Sequence, residues 1–365
     1  MRIAVDAREL AGKPTGVGRY LAGIVSAWNG LPAATAHEIV FCAPEPVPLP
    51  GHGTLRASLR TASGRGTLWE QFVLPRLVAD ADVVFAPGYS GPLRTTVPLV
   101  VTVHDVSFAA HPEWFSWREG LRRRLLTRLS ARHAVRVITV SDFSKREIVR
   151  HLGIPASKID VIYSGVTAWT ADGEQSRPRQ PLVLYVGSLF NRRHIPELIE
   201  AFTRLLRTHP DARLDIVGDN RTRPRVDVDS LIARAGAGDR IRFRSYVSDE
   251  ELAALYRGAS VFVFPSNYEG FALTPLEALG AGVAVVLLDT EVAREIYGPA
   301  AVYVERPDPS LIAAALQHLL DSEPDRQRLL SAAPAQLQRY SWEECGQRTL
   351  QVLLASARRA APAVP

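Results

Sequence analysis

The stretch VFVFPSNYEGFALTPLEALGAG, residues 261–282, is the most informative segment of the chain. It begins with four apolar residues typical of a buried strand, which Pro265 ends, and a polar loop then reaches the acid Glu269. Thr274 and Pro275 follow, and they are typical of the N-cap and the first position of a helix. The stretch therefore predicts a strand, a loop that carries an acid, and a helix, as in a parallel sheet covered by helices.

Short β-branched runs alternate with helical stretches along the rest of the chain. Most of these runs are apolar at every position, which is typical of parallel sheets that helices cover on both faces. The predicted strands are Arg2–Asp6, Glu38–Cys42, Val83–Ala86, Leu99–His104, Val135–Val140, Val161–Tyr163, Val183–Val186, Leu214–Val217, Ile241–Phe243, Val261–Phe264 and Ala284–Leu287.

The polar segment 167–181 interrupts this alternation and is the predicted linker. We predict two doubly wound α/β domains that face each other, at 1–166 and 182–340. The helical segment 341–358 is expected to cross back onto the first domain. Ligands of such sheets bind beyond the carboxyl ends of the strands, so the crevice between the domains is the expected site.

The composition excludes several classes of protein. The 365 residues are 47% hydrophobic and 22% charged, which is typical of globular chains. Two cysteines, Cys42 and Cys345, are too few for a disulfide framework or a four-cysteine zinc site. No apolar run approaches the ~20 residues of a membrane span, and Asp6 comes too early for a signal peptide. We therefore expect a soluble, cytoplasmic protein.

Positive charge is concentrated in residues 1–165, which carry a net charge of +7, whereas the remainder carries −2. Much of the excess lies at 117–132, where six arginines accompany one acid and leucines recur every fourth residue from Leu121. Three interpretations stay open: a surface helix with a solvated face, a helix that contacts anionic lipid, or a nucleic-acid site. No recognition motif accompanies the charge, so nucleic acid is not expected as a partner.

Two carboxylates flank the start of the helix predicted after Pro275. Glu277 stands three residues after Thr274, so a capping box is one interpretation of this acid. Glu269 has no such role, because it lies where a strand gives way to a helix N-terminus. Two carboxylates there can accept hydrogen bonds from the vicinal hydroxyls of a sugar or a ribose.

Two other strand ends carry polar side chains. A turn at Gly187 precedes Arg192 and Arg193, whose guanidinium groups suit a diphosphate; a solvated charge pair on a surface loop is the alternative. His104 follows an apolar strand. Its ring is either satisfied by a backbone carbonyl or presents a polar group to a sugar over the crevice.

The glycines Gly16 and Gly18 fit a dinucleotide-binding fingerprint badly. They come about ten residues after the first strand, too far for a tight strand–turn–helix unit, and no acid closes the second strand. We interpret the segment as a mobile glycine loop that enters a helix and shapes around a phosphate or an acceptor. A dinucleotide oxidoreductase is therefore disfavoured.

Taken together, these segments resemble glycosyltransferase family 4, retaining enzymes of the GT-B fold, and in particular its mannosyltransferase-like members. The resemblance covers nearly the whole chain. The matching motifs are RIAVDAR at 2–8, TGVGRY at 15–20, TVHD at 102–105, VSDFSK at 140–145, YVGSL at 185–189, YVSDEEL at 246–252 and the Glu-x7-Glu element from Glu269 to Glu277.

The resemblance implies a role for each matched residue. Glu269 would hold hydroxyls of the donor sugar, Glu277 would hold the ribose, and Arg193 stands where the family usually has a phosphate-binding lysine. Many members have arginine directly after the glycine where this chain has Ser188, and Arg192 can supply that charge instead. His104 would approach the transferred sugar. The implied donor-binding residues are Gly16, Gly18, Gly187, Arg192, Arg193, Glu269, Gly270, Phe271, Ala272, Leu273 and Glu277; the implied catalytic residues are His104, Arg193 and Glu269.

The resemblance also implies the reaction. A hexose, mannose in the mannosyltransferase-like members, would pass from a nucleoside-diphosphate sugar such as GDP-mannose to a glycan or lipid-linked acceptor. Residues 1–166 would bind the acceptor and 182–340 the donor, with no metal and no further cofactor. Apart from the resemblance, the lipid interpretation of the basic segment 117–132 would place the protein at the inner face of the membrane through peripheral contact. A sugar-nucleotide epimerase, a phosphorylase and a non-catalytic nucleotide-sugar-binding module remain as alternatives on the same architecture.

Overall fold

A computed structural model describes residues 1–12, 16–49, 53–167 and 181–360 of the chain. The chain divides into two compact units. Unit 1 comprises Met1–Gly165 and Tyr340–Pro365, and unit 2 comprises Val166–Arg339. Nearly all of the predicted linker, from 168 to 180, lies outside the described residues.

The described part of unit 1 contains one parallel sheet. Its strands are β1 (Arg2–Asp6), β2 (Glu38–Ala43), β3 (Arg56–Thr61), β4 (Val83–Ala86), β5 (Leu99–Thr102), β6 (Arg136–Thr139) and β7 (Ile159–Val161). They lie in the order β3-β2-β1-β4-β5-β6-β7, so the order reverses between β1 and β4, as in a doubly wound sheet. The strands β2, β4 and β5 are buried along nearly their whole length because helices cover both faces.

Helices of unit 1 connect these strands. They are α1 (Gly16–Gly30), α2 (Pro32–Thr35), α3 (Gly66–Leu68), α4 (Leu74–Leu77), α5 (Ser107–Ala110), α6 (Trp117–His133) and α7 (Asp142–Leu152). A short π-helical segment, Trp69–Val73, joins α3 to α4. Ser141 caps α7, because its side chain accepts a hydrogen bond from the Ser144 N–H.

The described part of unit 2 contains a second parallel sheet. Its strands are β8 (Leu182–Val186), β9 (Arg213–Val217), β10 (Ile241–Arg244), β11 (Val261–Phe264), β12 (Ala284–Leu288) and β13 (Ala301–Val304). The order is β10-β9-β8-β11-β12-β13, and it reverses between β8 and β11. A doubly wound sheet binds its ligands where the strand order reverses, so the loops after β8 and β11 are the expected place for a ligand.

Helices of unit 2 are α8 (Ile195–Leu205), α9 (Val228–Ala235), α10 (Asp249–Gly258), α11 (Leu273–Gly280), α12 (Glu291–Tyr297), α13 (Pro309–Asp321) and α14 (Glu323–Leu337). The helix α8 has the strongest segregation of apolar and polar side chains, and it buries Leu198, Ile199 and Phe202 against the core. No helix in the described ranges is long and apolar enough to cross a membrane.

The segment predicted as a loop around Gly16 and Gly18 is helical where it is described. The helix α1 begins at Gly16, so the prediction of a glycine loop is wrong for both residues; 13–15 lie outside the described ranges. Apolar side chains recur at helical spacing from Tyr20 to Trp28 and are buried. Their burial outweighs the ~1 kcal/mol that a glycine costs in a helix.

The C-terminal helix α15 (Trp342–Ala360) packs within unit 1 against α1. The Trp342 ring occupies the space that a side chain would need at Gly23, where an added Cβ would lie 2.4 Å from the ring. Farther along the two helices, the Trp28 indole donates a hydrogen bond of 2.9 Å to the Gly346 carbonyl. The two helices therefore approach closely because glycines face large aromatic rings.

We expect Gly23→Ala to lower the free energy of unfolding of the protein by about 1–3 kcal/mol, because the new methyl group overpacks against the Trp342 ring. Gly30→Ala, at the last residue of the same helix, is the matched control, since nothing lies within 4 Å of its added Cβ. Urea unfolding followed by circular dichroism measures both variants. Equal stability of the two variants would contradict the packing of Trp342 on α1.

Candidate active site

The loops that follow β8 and β11 carry Arg192, Arg193 and Glu269. After β8 the chain turns at Gly187 and forms a 3-10 turn at Asn191–Arg193, and α8 begins after the left-handed residue His194. After β11 a loop runs to Ala272, whose φ is 65°, and α11 begins. Because β8 and β11 are paired neighbours, their loops meet at the same edge of the sheet.

A buried ion pair joins these two loops. The Arg193 guanidinium donates two hydrogen bonds to the Glu269 carboxylate, with Nε 2.7 Å from Oε1 and Nη2 3.0 Å from Oε2. The Ser266 hydroxyl donates a third hydrogen bond, of 2.8 Å, to Oε1 of the same carboxylate. Both charged side chains are 12% exposed, so each carries its charge in a nearly dry environment. The pair fixes the orientation of both groups.

The pKa values of the pair follow from burial and mutual attraction. Burial alone would raise the pKa of Glu269, but the charges of Arg193 and Arg192, with the hydrogen bonds from Arg193 and Ser266, lower it below its ordinary value. Burial likewise opposes the charge on Arg193, and the carboxylate of Glu269 raises the pKa of Arg193. Glu269 is therefore an anion at neutral pH, and it accepts hydrogen bonds without donating any.

A second guanidinium and two aromatic rings surround the ion pair. Arg192 Nε lies 3.8 Å from Glu269 Oε1, and its guanidinium lies over the Phe190 ring at 4.5 Å. The Arg193 guanidinium lies 4.8 Å from the centre of the Phe264 ring. Two guanidiniums thus accompany one carboxylate, and this group of three charged side chains keeps a net charge of +1 that attracts an anion.

Gly187 leaves the space that the Arg193 guanidinium occupies. Its φ is 150°, and an added Cβ would lie 2.9 Å from Arg193 Nη1. The same Nη1 donates a hydrogen bond of 2.7 Å to the carbonyl of Ser188. The sequence places Gly187 among the donor-binding residues, and in this structure it makes room for an arginine that holds Glu269.

Glu277 does not form the capping box that is one interpretation of its position. The helix α11 already begins at Leu273, and the N-cap residue Ala272 makes no side-chain capping bond. The Thr274 hydroxyl instead donates a hydrogen bond of 2.8 Å to the Val186 carbonyl on β8. The Thr274 hydroxyl, which a capping box would use, is therefore bonded to the neighbouring strand β8 instead.

The Glu277 carboxylate is instead buried, with 4% of the residue exposed. The Tyr256 hydroxyl on α10 donates a hydrogen bond of 2.9 Å to its Oε2. A carboxylate in the second turn of α11, at the switch point of the sheet, has the chemistry that a ribose needs. Its role toward a ribose stays a prediction.

A cavity of about 20 Å³ lies beside Glu269, and Ser266, Phe271, Ala272 and Tyr297 also line it. That volume accommodates one water and is far too small for a sugar nucleotide. The structure thus places Glu269, Phe271 and Ala272 around one small cavity.

His104 lies in unit 1, two residues beyond the end of β5, and its ring is partly buried. Its Nε2 is 2.7 Å from the Pro87 carbonyl oxygen. This contact matches the interpretation in which a backbone carbonyl satisfies the ring. A carbonyl only accepts, so Nε2 carries the proton and Nδ1 of the neutral ring is an acceptor. Burial lowers the pKa of His104, while the Pro87 carbonyl and Asp105 partly oppose that effect.

The sequence prediction missed several neighbours of the ion pair. Its charged groups are contacted by Ser266, Phe190 and Phe264. A single serine and two apolar residues form no motif that would mark them as part of a site. Tyr185 also went unnoticed although it lies in the YVGSL motif, and its hydroxyl donates to the Ser188 carbonyl at 3.3 Å. In the part of the chain that the structure describes, no three His, Cys, Asp or Glu residues form a group that could hold a metal.

A double-mutant cycle tests the buried pair. We expect Arg193→Met and Glu269→Leu each to lower the free energy of unfolding by about 3–5 kcal/mol, because each leaves one buried charge without its partner. The double variant is expected to lose much less than the sum of the two losses. Urea unfolding measures all four proteins.

The control cycle uses Arg294 and Asp289, which also form two hydrogen bonds, of 2.7 and 2.8 Å, but at the surface. Their coupling is expected to stay within about 1 kcal/mol. Equal coupling energies in the two cycles would show that burial does not strengthen the Arg193–Glu269 pair.

Comparison with known proteins identifies two family models. The model for glycosyl transferases group 1 matches residues 170–336, and the model for glycosyltransferase family 4 matches residues 14–169. Two relatives are each 31% identical to this chain. The O-antigen chain mannosyltransferase B of Escherichia coli aligns over 69% of this chain and 68% of its own length. The glycogen synthase of Mycobacterium tuberculosis aligns over 84% of this chain and 75% of its own length.

Among solved structures, HepE from Anabaena, crystallised with UDP and glucose, has a similar fold. It superposes with a TM-score of 0.74 at 20% identity, covering 97% of this chain and 100% of that one. The parallel sheets of the two units are thus those of a GT-B glycosyltransferase.

Proposed function

Since this chain belongs to glycosyltransferase family 4 and is a glycosyltransferase of the GT-B fold, we propose that it moves a hexose from a nucleoside-diphosphate sugar to a glycan or lipid-linked acceptor, with retention of the anomeric configuration. The proposed donor is GDP-mannose. The observation that carries the proposal is the buried pair of Arg193 and Glu269 with Arg192 beside it, at the point where the strand order of unit 2 reverses.

The charges of this group suit the difficult step of the reaction. Breaking the anomeric C–O bond leaves an oxocarbenium-like sugar and a diphosphate whose negative charge grows in the transition state. Arg192 and Arg193 keep a positive excess beside Glu269, and the N-terminus of α11 adds a partial positive charge. Groups held in place before the reaction stabilise that charge without reorganising, which is the largest catalytic effect expected here.

Glu269 is proposed to hold hydroxyls of the donor sugar. Its carboxylate is fixed by hydrogen bonds from Arg193 and Ser266, and these bonds lower both its pKa and its strength as a nucleophile. A fixed anion still accepts hydrogen bonds from hydroxyl groups. In this proposal Arg193 therefore does two things: it orients Glu269, and together with Arg192 it supplies charge for the diphosphate.

The relatives support the donor class at two levels. HepE was crystallised with UDP and glucose, which supports a nucleoside-diphosphate sugar as donor. The mannosyltransferase from Escherichia coli supports mannose, whereas the glycogen synthase supports another hexose. The proposal is therefore more specific than these relatives in naming mannose as the sugar and guanine as the base. Other sugars and other bases are the alternatives to test.

A thermal-shift panel of GDP-, UDP-, dTDP- and ADP-sugars tests the donor. The true donor, at 100 times its dissociation constant, is expected to stabilise the protein by ~2.7 kcal/mol, and GDP-mannose is expected to be that donor.

Glu269→Gln is expected to keep binding of the free nucleoside diphosphate and to lower turnover at least 100-fold, because a neutral amide replaces the fixed anion. The exposed Glu305→Gln in the same unit is the matched control, with unchanged turnover.

Product analysis separates this function from its rivals. Proton NMR of the product is expected to show the anomeric configuration of the donor. Turnover without an acceptor would indicate an epimerase, and turnover with free phosphate would indicate a phosphorylase. Donor binding with no product from any acceptor would indicate a binding module. Full activity of Glu269→Gln would remove Glu269 from the sugar site.

We propose that neutral His104 accepts a hydrogen bond from the transferred sugar through Nδ1. Burial lowers the pKa of His104 below its ordinary value, so kcat/KM is expected to be constant at neutral pH and to fall at acidic pH as Nδ1 gains a proton. Glu269 does not titrate in this window, because its pKa is lowered below 4.5.

His104→Gln retains an N–H donor for the Pro87 carbonyl but does not titrate, so its pH profile is expected to lose the acid limb. His209 in unit 2, which pairs with Asp321, is the control; His209→Gln should keep the wild-type profile. An unchanged acid limb in His104→Gln would exclude His104 from the titrating contact.

A further inference from the structure

Helix α6 exposes a row of large apolar side chains. Trp117, Leu121, Leu125 and Leu129 are 72%, 59%, 53% and 39% exposed. Residues four apart on a helix lie on the same face, so these side chains form one ridge. The helix contacts the rest of unit 1 through smaller residues, with Gly120, Thr127, Ser130 and Ala131 buried.

A second element extends this ridge. Leu68 on α3 is 71% exposed, and Phe72 in the π-helical segment is 47% exposed. Arg122 on α6 donates a hydrogen bond of 3.0 Å to the hydroxyl of Thr67, which places Leu68 next to the middle of α6. Ten large apolar side chains are exposed in the described residues, and six of them lie on α6, α3 and the π-helical segment. Scattered exposed leucines need no explanation, but a group of this kind marks a contact surface.

Arginines surround the apolar ridge. Arg118 lies over the Trp117 ring at 5.2 Å, and Arg94 lies over the Phe72 ring at 4.8 Å. We call the six apolar side chains and their exposed basic neighbours the arginine–leucine patch; it comprises Leu68, Phe72, Trp117, Leu121, Leu125, Leu129, Arg94, Arg118, Arg122, Arg124 and Arg132. The single acid on α6, Glu119, accepts two hydrogen bonds from Arg123, so it neutralises an arginine outside the patch.

We propose that the arginine–leucine patch docks on the surface of an anionic lipid bilayer. The apolar ridge would enter the boundary between headgroups and acyl chains, and the arginines would reach the lipid phosphates. This combination of apolar and basic side chains matches a membrane better than the other occupants. Two copies of the patch would bring arginines against arginines, and a nucleic acid would leave the leucines without an apolar partner.

Vesicle sedimentation tests this proposal without reference to the sugar donor. The protein is expected to sediment with vesicles of phosphatidylcholine and phosphatidylglycerol and to stay in solution with phosphatidylcholine alone. Raising the salt from about 0.1 M to about 1 M should release most of it, because the arginine contacts are screened. Equal binding to both kinds of vesicle, or to neither, overturns the proposal.

Two patch variants separate the charge from the apolar ridge. Replacing Arg118, Arg122 and Arg124 together by glutamine is expected to weaken partitioning about 100-fold, since each basic residue contributes about 1 kcal/mol near an anionic surface. Leu121→Ser with Leu125→Ser is expected to weaken partitioning at both salt concentrations. Because both leucines are exposed, this variant is expected to fold, and circular dichroism verifies that it does.

The matched control replaces three exposed arginines of unit 2, Arg221, Arg306 and Arg328, by glutamine. It changes the net charge by the same amount and is expected to bind vesicles like the wild type. Equal loss in the control would show a general charge effect and overturn a specific patch. A wild-type dimer in sedimentation velocity that the leucine variant dissociates would assign the patch to a second copy and overturn the proposal as well.

Discussion

The buried ion pair between Arg193 and Glu269 is the interaction on which the candidate site depends. It joins two loops that follow neighbouring strands, β8 and β11. Each partner offsets the unfavourable burial of the other's charge. Gly187 leaves room for the guanidinium, and Ser266 donates a further hydrogen bond to the carboxylate. The parallel order of the strands brings these four residues together from two stretches far apart in the chain.

The same pair has the charges that the proposed site needs for a sugar and for a diphosphate. The Glu269 carboxylate suits hydroxyl groups, and the two adjacent guanidiniums suit phosphate oxygens. Alone, either charge in this dry environment would be strongly destabilising, but together with Arg192 they leave a modest positive excess. The proposed transfer reaction needs this balance, because its transition state separates a positive sugar from a negative leaving group.

Most strands could be predicted from the sequence, because strands buried on both faces are apolar at every position. The prediction missed β3 and β13, and it misplaced β7 by two residues. The residues of β3 are mostly polar and largely exposed, so only pairing with β2 makes this segment a strand. The strand β13 is a four-residue edge strand with two half-buried side chains, too short for a clear pattern. Long-range pairing decides such edge strands, and no local pattern records it.

Local patterns of residue type are enough to predict the two α/β series, the acids and arginines at the strand ends, and the family that they resemble. The packing of the whole chain, in contrast, sets their partners. It paired Arg193 with Glu269, gave the Thr274 hydroxyl to Val186 instead of a capping box, made Gly16 and Gly18 helical, and left the leucines of α6 exposed. Each of these outcomes depends on which neighbours the fold brings close, since burial and competition for hydrogen bonds are properties of the packed chain.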